Sequence, residues 1–434
     1  MLKREELYDY FLGNCSSRKK IGIEIEHLPV YLKNFNSVPY LHMKKILQVI
    51  CDKFHMDGIY EDNELFGVQT GFGHISIEPG SQVEFSSKPY DSIQDCYQII
   101  KGFANNVLSV IEKENIVLLH IGMHPESDMN DIPFIPKKRY EIMSTCMTGD
   151  LAHYMMKGTA SVQCSFDYDS PETFATMMKV IFSIAPIATA MFLNSPFYMG
   201  ELTPYQGFRS KIWTKTDDPR CGFIPQIFNK DFGFEEYIEF ILQVPMLFVK
   251  NEDGNYEYPP ENLPFIKYME FNPEIGISEF QTHLSSLFTF ARADKYIEIR
   301  CADSLPEDLL FSIPAFWKGL LYDPETLESA LEFCRDWNYA DLINAAQEVP
   351  VLGLKAKVGN YPILDLSRQL IVLARHGLES IDRECGSKDT RYIEPLEEMI
   401  VELGVNHSQK LIRIFEKSGS ISSILDAVKC RNNC

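Results

Sequence analysis

Glu24 and Glu26 stand two residues apart in "KIGIEIEHL", interleaved with isoleucines at 21, 23 and 25. Side chains of a strand alternate between faces, so the two carboxylates share one face and the isoleucines take the other. The pattern recurs. "HISIEPGSQVEFSS" puts Glu78 before a Pro-Gly turn and Glu84 on the next run, with Gln82, Glu84 and Ser86 opposite Val83 and Phe85. "TASVQCSFDY" sets Ser161, Gln163 and Ser165 against Val162, Cys164 and Phe166. "KYIEIRCAD" sets Tyr296, Glu298 and Arg300 against Ile297 and Ile299. Each segment has an apolar side for a core and a side carrying oxygen donors.

Hard divalent cations use such donors. Mg²⁺ takes near-octahedral oxygen ligands and is typically held by a few carboxylates plus substrate phosphates. Converging glutamates repel one another, and a buried carboxylate costs several kcal/mol unless compensated. Mg²⁺ ions would compensate Glu24, Glu26, Glu78, Glu84 and Glu298. One such strand alone reads more readily as the wet face of an antiparallel sheet. Four together, one ending in an arginine, favour the cation. Basic groups gather in "GFRSKIWTKTDDPRCGF", where Arg209, Lys211, Lys215 and Arg220 surround Trp213. Arginine's planar fork suits bidentate carboxylate or phosphate binding. Gly71 and Gly73 of "TGFGH" read as a tight turn rather than a phosphate cradle. His120 and His124 lack metal-ligand spacing and read as structural.

These side chains need a sheet to carry them. Roughly the first 320 residues alternate short strand-like runs with helices. Ser170 is a candidate N-cap with Pro171 at the first helical position of "PETFATMMKVIFSIAPIATAMFL". "IKGFANNVLSVIEKENI" predicts a helix followed by the strand "VLLHIGMHP". After about Ile313 the text turns helical. The expected fold class is α+β: a mostly antiparallel sheet with helices packed outside. Residues 1–434 are expected to form a single catalytic domain, 1–320 carrying the site and 321–434 forming a helical C-terminal portion.

Hydrophobic residues make up 45% and aromatics 12% of the 434, enough for a substantial core. The net charge of −20 makes a nucleic-acid partner an unfavourable expectation. The longest apolar stretch, Val180–Leu193, contains Pro186 and falls short of the roughly 20 residues a spanning helix needs. It predicts a buried core helix and no membrane. The opening "MLKREELYDYF" is charged, without a secretory pattern, and the eleven cysteines show no CxxC pair. Reduced thiols in a cytoplasmic protein are the expectation, with Cys430 and Cys434 on a frayed C-terminus.

Together, "KIGIEIEHL", "HISIEPGSQVEFSSKPYDSI", "DIPFIPKKRYEIM", "TASVQCSFDY", "IATAMFLNSPF", "FRSKIWTKTDDPRCG", "YIEIRCADSLP" and "IPAFWKGLLYD" resemble, in family order, the glutamate–cysteine ligases of the plant and proteobacterial type. These belong to the glutamine-synthetase-like carboxylate–amine ligases. The resemblance implies an antiparallel sheet curved into a funnel, with metals and phosphates on its inner face. It implies that ATP, as co-substrate, phosphorylates the γ-carboxylate of glutamate and that the amine of cysteine displaces the phosphate. Glu24, Glu26, Glu78, Glu84 and Glu298 match the metal-binding glutamates, Gln163 aligns with a metal-binding side chain, and two or three Mg²⁺ ions are implied. Arg300 matches the arginine that stabilises charge on the transferring phosphoryl group and contacts ATP. Arg209 matches the residue that binds substrate glutamate, with Trp213 beside it and Lys215 on the ATP side. Partners are then small-molecule substrates, and the chain a monomer or homodimer.

Three features depart from the family pattern. Lys157-Gly158 stands where an arginine-containing run is expected, "YIEIRCADSLP" is followed differently from the plant pattern, and the cysteines do not reproduce the plant redox pairs. Lys157, Lys211 and Arg220 stay open as partners for the acceptor's carboxylate. A γ-glutamyl ligase using another amine and an inactive homologue serving as a binding subunit are the alternatives.

Overall fold

Strand β1 spans the eleven residues Ile21–Tyr31, and its burial alternates as its sequence does: Ile21, Ile23 and Ile25 are buried, Glu24 and Glu26 half-buried. The computed structural model describes residues 2–251, 254–260 and 262–431. Eight further strands join β1 in one sheet: β2 (Asp57–Glu61), β3 (Glu64–Thr70), β4 (Gly73–Ile77), β5 (Val83–Ser87), β6 (Ile116–Leu119), β7 (Ser161–Phe166), β8 (Ala291–Ala293) and β9 (Ile297–Asp303). Their order is β8-β9-β7-β1-β5-β4-β3-β2, with β6 beside the second half of β1. Every pairing in this sheet is antiparallel, as expected.

Two local features set the geometry near the polar face. The β4–β5 turn passes Gly80 against the backbone of Lys157, where a Cβ would lie 2.0 Å from the carbonyl oxygen, so only glycine fits. In β9, pairing with β7 runs from Ile299 opposite Cys164 to Ala302 opposite Val162. Three residues on one strand span two on the other, a bulge holding Arg300 and Cys301. The turn Thr70–Gly73 joins β3 to β4, so the "TGFGH" glycines form a hairpin.

Helix α1 (Tyr40–Phe54) and helix α2 (Ile93–Ile111) pack with the sheet. Helix α2 begins seven residues, about two turns, before the predicted start, because Ser92 caps it by accepting from the Asp95 amide at 3.1 Å. Helix α3 (Pro171–Met191) starts as predicted, with Ser170 accepting from the Thr173 amide at 3.0 Å. It is long and apolar enough to cross a membrane, yet 83% of its most apolar stretch is buried within the protein, as a core helix should be. Helix α4 (Phe208–Trp213) is short and carries Arg209 and Trp213. The C-terminal part is helical: α5 (Ser312–Leu321), α6 (Pro324–Phe333), α7 (Tyr339–Leu352), α8 (Ile363–Cys385) and α9 (His407–Ser418). A buried Lys318–Asp389 ion pair of 2.6 Å fastens it, and Asp389 also accepts from the Ile93 and Gln94 amides at the start of α2.

The chain end differs from expectation at Cys430. Its amide donates to Leu118 O at 2.8 Å, and Lys429 bridges Leu119, so this segment is paired with β6 rather than frayed. Cys434 lies outside the described residues.

Candidate active site

The strand register builds a grid of polar side chains. Glu26 stands directly across from Glu84 on β5, and Glu24 directly across from Gln163 on β7 and Ser86 on β5. Glu298 on β9 faces Ser165 on one side and Arg292 on β8 on the other. Ser76 on β4 lies opposite Glu84. Glu78 closes β4 at the turn, its carboxylate accepting from the Tyr140 hydroxyl at 2.9 Å. All six predicted donors therefore lie on one face, spread over a patch rather than meeting at a point.

Like charges directly opposite each other in a sheet are destabilising, and little offsets them here. Glu26 accepts from the Ser161 amide and hydroxyl at 2.6 and 2.8 Å, and Glu84 from the Ser76 and Ser86 hydroxyls at 3.1 and 2.9 Å. Burial pushes the Glu24 carboxyl up to about 8, with Glu298 adding to the effect and Arg300 and Arg292 opposing it. Burial, then the Glu78 charge, raises Glu26. Burial, then Glu24, Glu78 and Glu26, lifts Glu84 well above the usual carboxylate range. Glu298 behaves oppositely. Burial works against its charge, but Arg292 and Arg300, each 2.7 Å from one of its oxygens, hold it below its ordinary value. The all-oxygen donor set of Glu24, Glu26, Glu78 and Glu84 thus fits a hard divalent cation, while Glu298 already has cationic partners.

Arg300 joins this patch to a cavity. Its guanidinium donates to Gln163 Oε1 and Glu298 Oε1, and it lies 5.9 Å over the Phe288 ring. It also lines a cavity of about 640 Å³, together with Arg209, Trp213, Phe223, Phe290 and Tyr339. That size accommodates a nucleotide-sized ligand. Tyr339, Ile343 and Val349 come from α7, so the helical C-terminal portion contributes to the site expected within 1–320.

Arg209 is buried, 3.5 Å from Asp303 and donating to Arg300 O at 3.2 Å, with its charge 5.9 Å from the Trp213 ring. Its Nε has no hydrogen-bond partner among the described residues. A buried donor without a partner costs about 1–3 kcal/mol, so this nitrogen is one place where a ligand's oxygen would be welcome. Lys215 is exposed and off the cavity wall. Of the acceptor candidates, Lys157 is buried and donates to Met129 O, while Arg220 pairs with Asp217 at 3.1 Å and donates to Pro245 O.

Three contributors escaped the sequence reading. Arg292 was detectable, because "FARADKYIEIR" reads as a hairpin that sets it opposite Glu298. Tyr140 carried no local signal. Asp303 was masked by the bulge: counting alternately from Glu298 and Arg300 puts it on the apolar face, yet it faces Arg209 and accepts from Ser195 Oγ and the Asn194 amide at 2.7 Å each.

Comparison with known proteins bears on the whole chain. Residues 20–427 match the profile of Glutamate-cysteine ligase family 2. The chloroplastic glutamate–cysteine ligase B of rice (Oryza sativa subsp. japonica) is 32% identical over 96% of this chain and 84% of its own. The chloroplastic enzyme of Arabidopsis thaliana is 31% identical over 95% and 80%. A glutamate–cysteine ligase from Francisella tularensis, crystallised with AMP, shares the fold at a TM-score of 0.59, with 14% identity, covering 95% of this chain and 88% of that one. The plant relatives are named chloroplastic, which overturns the cytoplasmic expectation. Unpaired thiols and a charged opening fit any reducing compartment and do not single out the cytosol. With the profile covering nearly its full length and relatives almost a third identical end to end, the chain belongs to the glutamate–cysteine ligase family.

Proposed function

We propose that this protein joins the γ-carboxylate of L-glutamate to the α-amine of L-cysteine at the expense of ATP, giving γ-glutamylcysteine, the first step of glutathione synthesis. The observation that carries this reading is the family match across residues 20–427. The sheet serves as the wall of a funnel, its carboxylates inside, in one catalytic domain. Glu24, Glu26, Glu78 and Glu84, with Gln163 and Glu298 at the edge, would hold two or three Mg²⁺ ions. When bound, these supply positive charge to the phosphate oxygens of ATP.

Arg300, already spanning patch and cavity, stabilises charge on the γ-phosphoryl group as it passes to the glutamate carboxylate. Arg209 holds glutamate through its fork and unpartnered Nε, against Trp213. The apolar cavity wall keeps water from the acyl phosphate. The amine then attacks the acyl carbon, phosphate leaves with the bonding pair, and the amine sheds a proton.

The test is phosphate release and product mass with glutamate, ATP and Mg²⁺ against a panel of amines. Cysteine should lead, with 2-aminobutyrate second, since an apolar pocket separates groups of such similar size by only about 1–3 kcal/mol. Turnover with another amine while cysteine stays inert would move the acceptor assignment. Silence with every amine would leave the inactive homologue.

A second expectation concerns pH. In the unfolded chain Glu24 ionises near 4.5, and in the metal-free fold near 8. The folded state therefore holds this proton more tightly, and the stabilisation is complete below about 4.5 and lost as pH rises through 8. Mg²⁺ replaces those protons. The melting-temperature gap between Mg²⁺-loaded and chelator-treated protein should widen steadily from about pH 5 to 8. A gap independent of pH would show that these glutamates are not the ligands.

A further inference from the structure

His27, His120 and Cys430 come from three distant parts of the sequence and meet on the side of β1 away from the carboxylates. His27 follows Glu26, and alternation points it with Ile23 and Ile25. His120 follows β6 directly, and Cys430 ends the segment paired with β6, where the His120 amide donates to Val428 O at 2.7 Å and the Cys430 amide to Leu118 O at 2.8 Å. One ligand atom from each of the three, two ring nitrogens and the sulfur, lies within 4.8 Å of the others. The two imidazoles are 4.6 Å apart between centroids.

Two further observations point to a ligand here. Both ring nitrogens of His120 are buried without a hydrogen-bond partner among the described residues, an unusual state for an imidazole. His27 Nδ1 lies 3.4 Å from Val83 O, an arrangement that places the proton on Nδ1 and leaves Nε2 with its lone pair free. A backbone carbonyl holding one ring nitrogen while the other faces a metal is the usual support of a ligating histidine. The Phe85 ring stands edge-on 5.3 Å from the His27 ring, and Cys430 packs against the main hydrophobic core.

We propose that His27, His120 and Cys430 bind one thiophilic closed-shell ion, Zn²⁺ or Cu⁺, which fastens the C-terminal segment to the sheet. Two imidazoles and a thiolate suit such ions and not Mg²⁺. Atoms sharing one ion at bond lengths of about 2.0–2.3 Å stand roughly 3.3–3.8 Å apart, so rotations of about an ångström close the site. Binding expels the thiol proton to solvent, and three protein ligands leave a fourth position for water on Zn²⁺ or complete a trigonal Cu⁺ site.

The full chain, reduced with a phosphine, stripped with a chelator and kept in excess Mg²⁺ to saturate the carboxylates, is titrated with Co²⁺. A thiolate-to-cobalt charge-transfer band should grow to one equivalent and disappear on adding Zn²⁺. An oxygen-only site gives no such band. Cys430→Ser should abolish the band and weaken Zn²⁺ binding at least about tenfold, with the metal-free melting temperature and the ligase turnover unchanged. His120→Gln should weaken binding similarly. In the wild type, Zn²⁺ should slow hydrogen exchange at the Cys430 and His120 amides; in Cys430→Ser it should not. A parallel competition for Cu⁺ against a colorimetric chelator identifies which ion binds more tightly. No thiolate band in the wild type, or an equal band in Cys430→Ser, would overturn the proposal.

Discussion

Arg300→Lys should lower kcat by about 10²-fold or more while changing the KM for glutamate little. Lysine keeps the charge but offers a single point donor, so it cannot reach Gln163 Oε1 and Glu298 Oε1 together as the guanidinium does. The lost interaction belongs to the transferring phosphoryl group, and removing such a donor costs about 10²–10³ in turnover. Arg209→Lys provides the contrast. Its guanidinium is held by Asp303 and Arg300 O, with Nε buried and without a partner among the described residues. Losing the fork there should raise the glutamate KM more than it lowers kcat. Steady-state kinetics on both variants, with melting curves to exclude misfolding, separate the roles. Reversed signatures would mean that Arg209 serves the phosphoryl group and Arg300 the substrate glutamate.

The second large effect is expected at Glu84. Glu84→Gln removes a charge lying directly across from Glu26 and coupled to Glu24 and Glu78. Mg²⁺ activation should weaken about 10–100-fold, while the metal-free protein melts higher because repulsion has gone. Glu298→Gln should behave differently. That carboxylate neutralises Arg292 and Arg300, so its loss leaves two half-buried guanidinium charges without their carboxylate and should lower the melting temperature in metal-free protein. Equal stabilisation by both substitutions would contradict the division drawn between a repelling group of glutamates and one already paired.

That division marks how far the sequence could be read. Alternation in "KIGIEIEHL" and "SQVEFSS" was enough to assign two strands and the face their glutamates share, because strand period is a local property. Ser170-Pro171 was enough to start α3. Register is not local. Nothing in the segments says that Glu26 meets Glu84, or that Glu24 meets Gln163, since those pairings depend on which strands become neighbours. Glu298 therefore read as one acid among five, and only its neighbour on β8 distinguishes it. Spacing rules also passed over His27, His120 and Cys430, which lie in segments the fold brings together without any short-range signature.

The bulge in β9 has a consequence for how this strand can vary in length. Before it, Glu298 faces the patch in phase with Ser165; after it, Asp303 faces the same side opposite Ser161, an odd number of residues later. The strand carries two half-sites written in opposite parity. The extra residue of the bulge is what lets an odd spacing keep both acids on one face; an even spacing would keep them there with no bulge at all. Deleting Cys301 would therefore restore regular pairing with Glu298, Arg300 and Asp303 all toward the patch, whereas deleting Arg300 would put Cys301 in the arginine's place. The two bulged residues are thus unequal: one carries the site's side chain, and the other only bends the strand. A one-residue deletion at Cys301 should accordingly be tolerated far better than one at Arg300.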